Sequence, residues 1–174
     1  MVYAKRAEEL DPHSTAVVAH VYLYQGDYDK ALEELARKDN RASSDTLMLA
    51  YLGKGRFEEA IAEIQKDLAR NESPEAWGGD PMLAYAYGKA ERRAEALKIL
   101  GEQQKLAKRR YISPFNFAII YTGLDDKDRA FEYLNKACED HALQLSHYAR
   151  GALFESLHSD QRYSELLRCM KFAS

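Results

Sequence analysis

The residues here that could do chemistry are two cysteines, five histidines and several adjacent carboxylates. Zinc is held by grouped histidine, cysteine or carboxylate ligands. His141 and His147 stand six apart, which on a helix turns them to different faces, and neither Cys138 nor Cys169 has a CxxC partner. No metal site is expected. Glu33-Glu34, Glu58-Glu59 and Asp125-Asp126 read as solvated faces and first turns of helices rather than as acid–base pairs. No GxSxG phrase marks an activated serine. Gly78-Gly79 runs into Asp80-Pro81, not into the lysine and helix of a phosphate loop. No catalytic residue and no cofactor is expected, so the chain is not read as an enzyme.

Two cysteines do not make a disulfide framework. Buried thiols in a reducing compartment are the expectation and a single bridge the alternative. The basic run Lys105 to Arg110, KLAKRR, would suit phosphate or an acidic partner. Cations favourably placed at a helix C-terminus are its plainer reading.

What must position these residues is helical. At 174 residues the chain is long enough for one substantial domain. Hydrophobic residues make up 46% and charged residues 30%, and only 4 prolines and 9 glycines interrupt. The net charge of -3 argues against direct nucleic-acid binding, which needs a basic face to release counterions. No run approaches the roughly 18 apolar residues that cross a bilayer. The N-terminus, MVYAKRAEEL, lacks the apolar core of a signal peptide. A cytoplasmic location with no membrane partner is the default that follows.

One frame recurs four times. Tyr22, Tyr51, Tyr87 and Tyr121 each precede an alanine by nine residues: Ala31, Ala60, Ala96 and Ala130. One and four residues past these alanines come Leu32 and Leu35, Ile61 and Ile64, Leu97 and Leu100, Phe131 and Leu134. Four residues before the tyrosines sit Val18, Leu47, Leu83 and Phe117. The alanines are 29, 36 and 34 residues apart. A period near 34 in helix-turn-helix units is the mark of a helical solenoid.

Taken in order, residues 1–12 read as the helix of an incomplete preceding repeat, stopped at Asp11-Pro12, and the chain as part of a longer protein. Residues 13–140 hold four helix pairs. Ser14 would cap the first helix, Gly26 and Gly55 would end the first helices of pairs one and two, and Glu91 takes that place in the third. Asn71 to Asp80, with Pro74 and Trp77, reads as the longest loop. Residues 141–174 form C-terminal capping helices: a loosely patterned one over Glu139 to Leu153, and a short one near Gln161 to Met170. Ser159 and Asp160 would cap the second, and Tyr163, Leu166, Leu167 and Met170 would be its apolar face.

QGDYDKAL (Gln25 to Leu32) and KGRFEEAI (Lys54 to Ile61) place glycine, an aromatic two later and alanine three after that. In this the chain resembles tetratricopeptide repeat proteins over about residues 2 to 138, most strongly in the first and second pairs. Arg93 replaces the usual aromatic in the third pair, and Asp125 and Lys127 replace glycine and aromatic in the fourth. The resemblance implies an all-α, right-handed helical solenoid with a helical C-terminal cap. Phe154 to Met170 is similar to the closing segment of bacterial regulatory proteins that carry such repeats.

That family implies a protein-interaction scaffold, with a partner's peptide or helix held in an inner groove lined by the first helix of each pair. The groove positions are His20, Leu23, Tyr24, Leu49, Leu52, Tyr85, Lys89, Asn116 and Ile119. The carboxylate clamp of chaperone-binding members is not expected, because Ala16, His20, Thr46, Gly78 and Met82 occupy its positions. The alternative is a sensory or oligomerisation module of a bacterial regulator, dimerising through the exposed helix Val2 to Leu10.

Overall fold

Periodicity of this kind buries one face of each helix, and the computed structural model follows it. It describes residues 15–36, 44–70, 79–148 and 151–170. The expected N-terminal half-repeat, the Ser14 cap and most of the Asn71 to Asp80 loop lie outside these residues.

The helices are α1 (Thr15–Tyr24), α2 (Tyr28–Ala36), α3 (Ser44–Gly53), α4 (Phe57–Arg70), α5 (Pro81–Lys89), α6 (Arg93–Ala107), α7 (Pro114–Gly123), α8 (Lys127–Glu139), α9 (Leu143–Tyr148) and α10 (Gln161–Cys169). A 3-10 segment, Ala152–Leu157, precedes α10. No strand occurs among the described residues, and none of their helices is long and apolar enough to cross a membrane. The chain divides into two compact units, residues 1–67 and 68–174.

In the first unit α1 packs on α2 and α3, and α2 packs on α3. Val18, Ala19, Ala31, Met48, Ala50, Ala60, Ile61 and Ile64 are buried. Gly53 is there because the Tyr28 ring needs its space: a Cβ on Gly53 would lie 2.4 Å from that ring.

In the second unit α7 is the central element, packed against α5, α6, α8 and the 3-10 segment. Ser113 caps it through the Phe115 amide (3.3 Å), and Pro114 supplies a first-turn residue that has no amide to satisfy. Every residue from Phe117 to Leu124 is buried. α5 and α7 approach backbone to backbone, since a Cβ on Gly123 would lie 2.4 Å from the Tyr85 Cα, and one on Gly88 would lie 2.4 Å from the Gly123 oxygen. Asp80 caps α5 through the amides of Met82 (2.7 Å) and Leu83 (3.1 Å).

The four recurring alanines are all fully buried, as close helix pairing requires. The residue expected after the third alanine is a departure. Leu97 is 45% exposed, and Ile99, Leu100 and Gln103 carry the buried face of α6 instead. The single helix expected over Glu139 to Leu153 is also corrected. His141 adopts φ 53° and ends α8, α9 is short, and the chain turns again at Gly151 before the 3-10 segment. The terminal helix forms as expected, with the Asp160 carboxylate accepting from the Arg162 amide at 3.0 Å and Tyr163 and Leu166 buried. Hydrogen bonds from the Arg162 guanidinium and amide hold the Asp160 carboxyl down at about 2.

Candidate interaction surfaces

The recurring tyrosines hold equivalent places. The Asp27 amide donates to the Tyr22 carbonyl at 2.9 Å, Arg56 to Tyr51 at 2.9 Å, Arg92 to Tyr87 at 2.8 Å and Asp126 to Tyr121 at 3.0 Å. In each turn the preceding residue is left-handed: Gly26, Gly55, Glu91 and Asp125. This six-to-one bond around a left-handed residue is the Schellman closure, which satisfies carbonyls orphaned at a helix end. A fifth copy follows α8, where the Ala142 amide donates to the Ala137 carbonyl at 2.9 Å around His141. A cation lies over every one of the four rings. Lys30 is 5.6 Å from the Tyr22 centroid, Arg56 4.8 Å from Tyr51, Arg92 4.5 Å from Tyr87 and Arg129 5.3 Å from Tyr121. Such pairs add roughly 0.5–1 kcal/mol where exposed. They were hidden in the sequence because the cation sits eight residues on in the first and fourth pairs and five on in the other two.

The groove positions divide by unit. In the first, His20, Leu23 and Leu49 are half-buried and Tyr24 is 61% exposed. The His20 ring is 5.4 Å from that of Tyr24, and its Nδ1 is 3.3 Å from Thr46 Oγ1. Desolvation raises the Tyr24 pKa above the ordinary tyrosine value. Leu52 is 4% exposed and belongs to the core.

In the second unit Tyr85 is 5% and Ile119 2% exposed, because the glycine contacts draw α5 and α7 together over them. The two side chains pack inward. Lys89 and Asn116 are half-buried, and Lys89 forms an ion pair with Asp125 while lying 6.0 Å from the Tyr85 ring centroid.

The cysteines correct an expectation. Cys138 on α8 and Cys169 at the end of α10 form a disulfide, with Cα atoms 6.5 Å apart, in place of two free thiols. The cause is tertiary. Arg162 lies 4.4 Å from the Phe131 ring centroid and pairs with Asp128 at 2.8 Å, which together with buried Leu166 seats α10 along α8. Spacing in the chain gave no sign of this neighbourhood. Among the described residues no group of three or more histidines, cysteines or carboxylates is placed to hold a metal ion.

α6, α7 and α8 frame a further surface. The rings of Phe117 and Tyr133 stack at 4.9 Å, and those of Tyr121 and Tyr133 at 5.5 Å. Burial raises the Tyr133 pKa, with the neighbouring Tyr121 adding to the shift. Lys136 lies 4.8 Å from the Tyr133 centroid and is itself paired with Glu132 at 2.6 Å.

A family model described as tetratricopeptide repeat matches residues 115–139, the span of α7, its turn and α8. The match falls on the fourth pair, where glycine and aromatic are both replaced in the turn. No curated protein and no solved structure matches the chain significantly. The match marks one tetratricopeptide-like helix pair within a chain whose described residues are helical, the class of repeat that generally binds protein partners.

Proposed function

We propose that this chain is a binding scaffold without turnover, which takes a peptide or helical segment of a partner protein against the first helices of its pairs. One observation carries the reading: Tyr24 presents 61% of its surface beside the half-buried His20, Leu23 and Leu49 of the same unit. Aromatic side chains supply large contact area and a polar tip at little cost in conformational entropy. A preformed helical face also lowers the ordering cost of association. Leu23 and Leu49 extend the same partly exposed apolar set, whereas Leu52 of that unit, like Tyr85 and Ile119 of the second unit, is a core residue.

The test begins with capture from lysate of the source organism, followed by titration calorimetry with the captured partner's binding segment. A single segment should bind at roughly micromolar strength, about -8 kcal/mol. Tyr24→Ala and Leu49→Asp should each weaken it while leaving the thermal midpoint near that of the parent. Undiminished binding by both variants would reject this surface. Concentration-dependent self-association with no captured partner would point to an oligomerisation module instead.

A further inference from the structure

Helix α6 carries Gly101, Gln104 and Lys105 along one stripe, and Lys108, its C-cap, follows at the spacing of the same helix face. With Phe117 of α7 and Tyr133 of α8 they line an open trough of about 650 Å³. Gly101 is the informative member. Glycine in a helix interior costs backbone entropy that alanine would not. Gly88 and Gly123 in this unit are forced by close approach, but a Cβ on Gly101 would meet nothing within 4 Å. Internal packing does not require it, and its effect is to keep the trough open.

The rim is cationic. Lys105 and Lys108 are exposed, Arg109 and Arg110 follow directly, and no ion pair joins Lys105, Lys108 or Arg109 to a carboxylate among the described residues. The nearby Glu102 is directed elsewhere, with its carboxylate beside Gly79. Stabilisation of the α6 C-terminus accounts for basic residues there. It does not account for the glycine or for the aromatic floor on two other helices.

We propose that this trough is a docking site for a short acidic peptide segment bearing an apolar or aromatic anchor. The anchor would lie over Gly101 against the edges of Phe117 and Tyr133, and the flanking carboxylates would meet Lys105 and Lys108. A single-stranded nucleic acid, the other polyanion that favours aromatics beside cations, needs open ring faces on which bases stack. Here the faces of Phe117 and Tyr133 are spent on each other, on Tyr121 and on Lys136. The charge complementarity therefore favours peptide.

The probe is a fluorescent synthetic peptide with a central tryptophan flanked by aspartates and glutamates, titrated into the full chain by anisotropy. Saturable binding should weaken about tenfold when the carboxylates become amides, and similarly in Lys105→Glu/Lys108→Glu, because two exposed charge contacts are lost. Gly101→Trp should abolish binding, and Gly101→Ala should raise the melting midpoint. Tyr24→Ala should leave the peptide's affinity unchanged, which separates this site from the one proposed above. No saturation at millimolar chain, equal affinity for the amide peptide, or full affinity in a folded Gly101→Trp would overturn the proposal. So would an oligonucleotide that binds the trough where the peptide does not.

Discussion

Gly26 and Gly55 close the first helices of the first unit at φ 73° and 70°, while Glu91 and Asp125 close those of the second at 61° and 59°. The hydrogen bonds are the same in all four turns. An L-residue in this region costs roughly 1–2 kcal/mol that glycine avoids, so the second unit holds the geometry by other means. Its α7 is buried continuously from Phe117 to Gly123 and abuts α5 through Gly88 and Gly123. The family match likewise falls on a turn without glycine. Register and packing define this repeat more strongly than its turn residue does.

The comparison is broken most severely at the close approach of α5 and α7. Gly123→Val drives a branched side chain into the Tyr85 backbone and should cost about 3 kcal/mol by denaturant unfolding. Hydrogen exchange should show the loss in α5 and α7. Ala60→Leu overpacks the alanine of the second pair in the first unit and should cost about 2 kcal/mol. Melts that match the parent would mean that this alanine does not face a neighbouring helix.

The turns themselves give the smallest and sharpest contrast. Gly55→Ala should lose about 1 kcal/mol, because alanine is strained at φ 70°. Glu91→Gly should gain about 0.5 kcal/mol, since relief at φ 61° outweighs the extra freedom of the unfolded chain. Equal and opposite shifts of similar size would show that both units depend on their turn residue alike.

Much of the fold was legible in the chain because its signals are local. The nine-residue step from tyrosine to alanine marked four turns of one geometry, and Asp160 announced the last helix. The fifth turn at His141 escaped notice because neither its residue type nor Ala137 resembles the other four. Among the groove positions, period alone identified the helix face but not its burial. Tyr24 and Tyr85 were both expected to line the groove, yet one is exposed and the other is packed under the crossing at Gly123.

Helix placement, turn register and the small residues between paired helices were written into the sequence, because each follows from contacts within a few residues along the chain. The pairing of Cys138 with Cys169, the inward turn of Tyr85 and Ile119, and the trough beside Gly101 were decided only in three dimensions. Each depends on how closely one helix approaches another that is distant in sequence. That distance is set by packing across the whole unit, which no local pattern encodes.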